Sequence, residues 1–298
     1  IGRYVSATSD GGFIITGETG FGDERGRLNI FVIKLDSFGE IQWSKTISSK
    51  GTDVAKCVKQ SSDGNYFISG ETTINNKDPK NTDTDIILTK IDKQGNLLWS
   101  KIYGAQGSDL SRCFMFEDNG GLTIKGYTRG INMWESDVYE VRVDNNGNKI
   151  SSSIVEGSSN RILNQFQADD LLKKKRYVLT DYRVVFQGGG TDIYDIKIDP
   201  DDKPEPLRIY GETNIDFGNS ILDENNQYYI VGSNAGKTKL VHTNFNGKVI
   251  WSKTMSGTKN AAGRSVVKIN DNDFFITGHT ESFGAGGFDI YIVKMKHK

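Results

Sequence analysis

Short runs in which apolar and polar positions alternate fill this chain from end to end. One run, Asp10-Gly11-Gly12-Phe13-Ile14-Ile15-Thr16-Gly17-Glu18-Thr19, returns almost residue for residue as Asp63-Gly64-Asn65-Tyr66-Phe67-Ile68-Ser69-Gly70-Glu71-Thr72. It recurs at Gly120 to Thr128 and Asp273 to Thr280, with weaker copies at Tyr177 to Tyr182 and Tyr228 to Asn234. The aligned positions Gly17, Gly70, Gly126, Asp181, Gly232 and Gly278 define a repeat of about 52 residues. A second run follows each copy, as in Asn29 to Asp36 and Asp85 to Asp92. A third, Gly39-Glu40-Ile41-Gln42-Trp43-Ser44-Lys45, recurs as Gly95 to Lys101 and Gly247 to Lys253, and a fourth, Asp53 to Lys59, recurs from Asp109 and from Gly263. Alternation carried by β-branched and aromatic residues predicts half-buried strands, four to a unit, with turn signals between them. Helical solenoids need a 3.6-residue period, and the one candidate, Asp169 to Lys175, is short. Four strands repeated six times predict an all-β, six-bladed β-propeller over 1–298 as a single domain.

Composition agrees. Glycine reaches 34 while alanine, counted along the chain, reaches 8, so turn formers outnumber the best helix former. Many of the glycines hold fixed places, ending the second strand or closing a hairpin at Gly39, Gly95, Gly147 and Gly247. Lys and Arg total 37 against 38 Asp and Glu, a net charge of -1, which argues against nucleic acid as a partner. Apolar runs stop at about four or five residues, far short of the roughly 18 of a membrane-spanning helix, so no transmembrane segment is expected.

Only five copies of the third run are present, which suggests a ring closed by strands from both termini. The chain begins at Ile1 without Met, which predicts a processed product, its export segment gone, acting outside the cell or in the cell envelope. Cys57 and Cys113 hold the same position in adjacent units. Equivalent positions on neighbouring units are not expected at disulfide distance, so two buried thiols are predicted.

The runs Asp36-x-x-Gly39-x-x-x-Trp43 and Asp92-x-x-Gly95-x-x-x-Trp99, with the variant Asn244-x-x-Gly247-x-x-x-Trp251, join the Asp-Gly-Gly-Phe-Ile-Ile run in a pattern that resembles secreted or lipoprotein β-propeller repeats of bacteria and archaea. The tryptophan motif is also similar to the docking motif of quinoprotein-like propellers. The resemblance covers nearly the whole chain and implies the fold, which hosts many unrelated activities. Ser151 and Pro206 replace the tryptophan in units three and four, and six units are fewer than the eight of quinoprotein enzymes, so no quinone or other cofactor is expected.

Trp43, Trp99 and Trp251, at one repeated place, predict packing between blades rather than a ligand ring. The Asp-x-x-Gly stretches suit tight hairpins better than calcium, and no metal is expected. With three histidines and no hydrolase, zincin or phosphate-loop motif, catalysis has little support. Glu18 and Glu71 could serve as acid and base, but the equivalent positions Tyr127, Tyr182, Ser233 and His279 are varied, as in a recognition surface. Tight, repetitive turns mark one predicted face, and loops of variable length mark the other. The variable loops hold Trp134, the one tryptophan outside the repeat, with Arg183 and Gly188 to Gly190 on the same predicted face. The expected function is therefore a non-enzymatic module binding a protein or glycan partner through Trp134, Glu18, Glu71, Tyr127, Arg183 and His279, with self-association a related role. The alternative is a hydrolase or lyase acting on extracellular polysaccharide through carboxylates near a central channel.

Overall fold

The computed structural model describes residues 1–20, 27–49, 51–73, 83–105, 107–129, 137–155, 177–185, 190–198, 205–210, 216–224, 227–244, 248–255, 257–284 and 287–296. All secondary structure among them is β. The strands are Gly2–Ala7 (β1), Phe13–Thr19 (β2), Asn29–Leu35 (β3), Ile41–Ile47 (β4), Asp53–Gln60 (β5), Tyr66–Thr72 (β6), Asp85–Ile91 (β7) and Leu97–Tyr103 (β8). Then come Ser108–Phe116 (β9), Leu122–Arg129 (β10), Asp137–Val143 (β11), Lys149–Val155 (β12), Tyr177–Val185 (β13), Gly190–Ile198 (β14) and Glu205–Tyr210 (β15). The last are Asp216–Glu224 (β16), Gln227–Asn234 (β17), Lys237–Asn244 (β18), Val249–Met255 (β19), Ala261–Lys268 (β20), Asp273–Thr280 (β21) and Asp289–Lys296 (β22). They pair in chain order: β1 to β4, β5 to β8, β9 to β12 and β16 to β19 form four-stranded antiparallel sheets, and β13 to β15 and β20 to β22 form three-stranded ones. β1 belongs to the first sheet and β22 pairs only with β21 among the described residues, so the expected mixing of strands from both termini is not what the described strands do.

Contacts divide the chain into two compact units, Arg3–Arg161 and Ile1–Gly2 with Ile162–Lys298. In the first, two apolar layers alternate with the sheets. Ile14, Ile30 and Val32 of sheet one meet Ala55, Val58, Tyr66, Ile68, Ile87 and Ile91 of sheet two. The opposite face of sheet two sends Cys57, Phe67, Ile86 and Leu88 against Phe114, Leu122, Ile124, Tyr139 and Val141 of sheet three. The period of two thus feeds two different layers, which is why β6, covered on both faces, opens on three consecutive apolar residues, Tyr66, Phe67 and Ile68. The second unit repeats the arrangement, with Tyr229, Val231 and Leu240 packed on Val266, Phe274 and Ile276. Burial fades outward, and the fourth strands, such as β4 and β19, are mostly exposed.

Two local devices hold sheet to sheet. A Cβ on Gly95 or Gly147, both at positive φ in the hairpins after β7 and β11, would run into Trp43 or Trp99 of the preceding sheet. The repeated tryptophan therefore lies on the hairpin glycine of the next sheet, and the Tyr103 hydroxyl adds a 2.7 Å hydrogen bond to the carbonyl of Gly147. The second device is a disulfide between Cys57 and Cys113, whose Cα atoms stand 5.1 Å apart. The expectation of two free thiols is corrected here: the first strands of adjacent sheets, β5 and β9, come close enough that equivalent residues meet.

The turn aspartates behave as hairpin residues. The Asp92 carboxylate accepts hydrogen bonds from the amides of Gln94 and Asn96, and Asp144 repeats this with Asn146 and Asn148. In the turns between first and second strands, Asp10 is drawn down to about 2: partial burial opposes the shift, and bonds from Lys34, Thr8 and Gly12 outweigh it. Asp63 is likewise drawn down to about 2, with burial again opposed by Ser61, Asn65 and Lys90.

Two outcomes follow. Replacing both cysteines by serine, which opens a link across 56 residues of chain, costs about 4 kcal/mol by loop entropy, measurable by denaturant titration. Because Asp10 and Asp63 lie below their ordinary value of 3.8, their stabilisation is complete above pH 3.8 and lost as pH falls through about 2. Asp63→Asn should flatten the stability profile in that window.

Candidate functional site

Four strands, β5, β9, β16 and β20, each pair with the strand that follows through one β-bulge at a repeated place. The ladder steps from Ala55 to Cys57 opposite Gly70 and Ser69, skipping Lys56, and from Ser111 to Cys113, skipping Arg112. In the second unit, Asn219 and Arg264 are skipped in the same way. The bulge explains the glycine that ends the second strand: a Cβ on Gly70, Gly126 or Gly278 would meet the carbonyl of Val54, Leu110 or Ala262. A bulge also turns its extra side chain out of the ladder. In these strands that side chain is polar and mostly basic: Lys56, Arg112, Asn219 and Arg264, with Arg3 at the matching place in Gly2-Arg3-Tyr4-Val5.

Three of the expected site residues prove to be partners of this basic series. The Arg3 guanidinium grips the Glu18 carboxylate, Nε donating to Oε2 at 2.8 Å and to Oε1 at 3.0 Å, and Glu18 is only 2% exposed. Lys56 pairs with Glu71 at 3.3 Å. The Arg112 guanidinium lies 5.1 Å from the centre of the Tyr127 ring. Burial pushes the Lys56 ammonium below its usual range; Glu71 opposes this, and the charges of Arg3 and Arg112 add to it.

His279 stands in the second unit, edge-on to Phe288 at 4.8 Å, on the same sheet as Arg264, whose Nη1 donates to Oδ1 of Asn219 at 2.9 Å. Trp134 lies outside the described residues, as do Gly188 and Gly189; the backbone of Arg183 is in β13. His242 is taken up in the core, stacked on Tyr229 at 4.3 Å and bonded to Gln227. Among the described residues, no group of three His, Cys, Asp or Glu is placed to hold a metal ion. The basic series escapes a reading of motifs because a bulge is invisible in strand alternation. Its signal is a basic residue repeated in Arg3-Tyr4-Val5, Lys56-Cys57-Val58, Arg112-Cys113-Phe114 and Arg264-Ser265-Val266.

A separate buried group sits where β7 meets β9. Asp109, fully buried, accepts from the amide of Ala105 at 2.6 Å, and its own amide bonds the carbonyl of Thr84. Burial pushes its carboxyl up, and the neighbouring charges of Asp85 and Asp83 push the same way.

No family model matches the sequence, and no curated protein does either. Solved structures match. The Hadza microbial sialidase Hz136 is 12% identical, with a TM-score of 0.64; the match covers 99% of this chain and 65% of the sialidase, so the chain spans less than two thirds of that protein. A neuraminidase-like protein from A/bat/Guatemala is 10% identical over 99% of this chain and 88% of its own, with a TM-score of 0.51. A luciferin-regenerating enzyme is 9% identical over 100% of this chain and 93% of its own, with a TM-score of 0.50. At these identities the likeness concerns the fold alone, and that fold is of the β-propeller class.

Asp109→Asn keeps an acceptor for the Ala105 amide while removing a charge crowded by Asp83 and Asp85. With the folded pKa raised, ionisation of Asp109 works against folding at neutral pH, and protonation relieves the penalty as pH falls. The variant should melt at a higher temperature than the parent at pH 7, and the gap should close toward acid pH.

Proposed function

We propose that this protein is a binding module and not a hydrolase: a six-bladed propeller acting as one domain, which engages a protein or glycan partner through the face carrying its variable loops. The observation that supports this best is the state of the two carboxylates a hydrolase would need. Glu18 is buried and gripped by Arg3, and Glu71 is held by Lys56. A general acid or base must reach the substrate with a proton to give or a place to receive one, and these carboxylates are committed to fixed cations. Beside the second strands stand Arg3, Lys56 and Arg112, the last against the Tyr127 ring, and a varied set of this kind suits recognition.

The ends of the second strands and the starts of the first strands lie at the same ends of their sheets as the loops between second and third strands. Glu71 pairs with Val54 near the start of β5, and Tyr127 with Leu110 near the start of β9. In the sequence, positions 74–82 follow β6 and positions 130–136, with Trp134, follow β10. A site there would combine rigid strand-end side chains with variable loops, the usual division between scaffold and recognition. The disulfide suits an oxidising compartment and supports a place outside the cell or in its envelope.

The test is a glycan and surface-protein screen run beside a hydrolysis assay on polysaccharides. Saturable binding without turnover is expected, with Trp134→Ala weakening it about tenfold or more if the indole anchors the partner. Turnover without stable binding would overturn the reading.

A further inference from the structure

We propose that the edge of β22 is a docking site for one extended segment of another polypeptide, added as a fourth strand with the pattern of this chain's own outer strands, apolar-x-Trp-Ser-Lys. Among the described residues β22 pairs with β21 alone, whereas the third strands β3, β7 and β18 each carry an outer strand, β4, β8 or β19. Burial shows the consequence. Ile86, Ile87 and Leu88 of β7 and Leu240 and Val241 of β18 are buried, while Ile290, Tyr291, Ile292 and Val293 of β22 are only half-buried and Lys294 is exposed. An edge strand presents its backbone donors and acceptors to a further strand, and strand addition of this kind is a common mode of peptide recognition.

The complete sheets of the same molecule define which strand fits. Their outer strands pair with the third strands in one register: Trp43 stands opposite Lys34, Trp99 opposite Lys90 and Trp251 opposite His242, and the ladder slips by one residue directly afterwards. Lys294 is the matching residue of β22. Lys90 lies over the Phe67 ring at 4.8 Å and Lys294 over the Phe275 ring at 5.8 Å, and Phe67 and Phe275 hold the same place in β6 and β21. In the complete sheets the outer tryptophan joins this group: Trp99 meets Phe67 edge-on at 5.8 Å, and Trp251 is 6.2 Å from Tyr229, the residue at that place in β17. The sheet β20 to β22 is also seated on its predecessor in the usual way. Lys253 of β19 donates to the carbonyl of Lys296 at 3.0 Å, much as Lys101 of β8 donates to Oδ1 of Asn148 at 2.7 Å. The segment that fits therefore runs antiparallel to β22, with its tryptophan opposite Lys294, its serine opposite Val293 and its lysine opposite Ile292, as Ser100 and Lys101 stand opposite Thr89 and Leu88. Backbone hydrogen bonds supply the affinity, and the tryptophan fixes the register. Because β22 offers backbone rather than loop side chains, this site stands or falls apart from the loop-face reading.

The experiment titrates the full chain with the labelled synthetic peptide Gly-Lys-Val-Ile-Trp-Ser-Lys-Thr-Met, the sequence of residues 247–255, read by fluorescence anisotropy, and maps the complex by amide hydrogen exchange. Saturable binding is expected, with new protection along β22 and none along the outer strand β4. Trp251→Ala in the peptide should weaken binding about tenfold, and a scrambled peptide should not bind. An added strand bonds through alternate residues only, so N-methylation of the peptide in the pairing phase should abolish binding, while the opposite phase should leave it unchanged. If the scrambled peptide binds equally, if both N-methylated peptides behave alike, or if β22 exchanges as before at saturation, the site is wrong. Slow exchange along β22 in the free chain also overturns it: in a dimer by light scattering the edge is filled by a second copy, and in a monomer by the chain itself.

Discussion

Everything in this molecule depends on one constraint: a small sheet that is apolar on both faces cannot stand alone. The second strands β2, β6, β17 and β21 are largely buried on both sides, and a layer such as Phe67, Phe114, Leu122 and Tyr139 exists only where two sheets press together. No single unit of about 52 residues could bury both faces of its sheet. The chain solves this by repetition, and the outer strands are left exposed because nothing further covers them. Lysines such as Lys45 and Lys253 on those outer strands discourage pairing with another edge.

From that constraint comes the bulge. Where first strands of neighbouring sheets draw together, a regular ladder would send every second side chain into the packed layer. One unpaired residue re-aims a side chain outside the layer, and its cost is a glycine on the facing strand. The same crowding brings Cys57 and Cys113 to bonding distance. Basic residues, disulfide and glycine therefore express one local geometry seen from three sides.

Fold class was legible because its signals are periodic: the alternation of Phe13 to Thr19, the hairpin glycines and the repeated tryptophans each report a short-range requirement. The aspartate turns were legible for the same reason, since Asp92 and Asn96 satisfy each other within five residues. The disulfide was not, because it depends on how closely two sheets approach, and no local pattern encodes that distance. Glu18, Glu71 and Tyr127 could be picked out as a column, but their partners Arg3, Lys56 and Arg112 stand on another strand at a position that breaks the alternation. Their pairing changes the meaning of the carboxylates from candidate acids to supports.

That change bears on how a propeller acquires chemistry. Hydrolysis by paired carboxyl groups needs one held protonated and one held charged, hence two different environments within reach of a substrate. Here the repeat places Glu18 and Glu71 in the same kind of environment, each beside a cation from the first strand of its own sheet. Equivalent positions inherit equivalent surroundings, so repetition works against the asymmetry that acid and base catalysis requires. It favours recognition, in which several similar donors converge and small differences among them, Arg against Lys and Glu against Tyr, adjust what is bound. To become an enzyme at this place, the chain would have to remove one cation and leave its carboxylate open to substrate, and in the first compact unit neither Arg3 nor Lys56 has been lost.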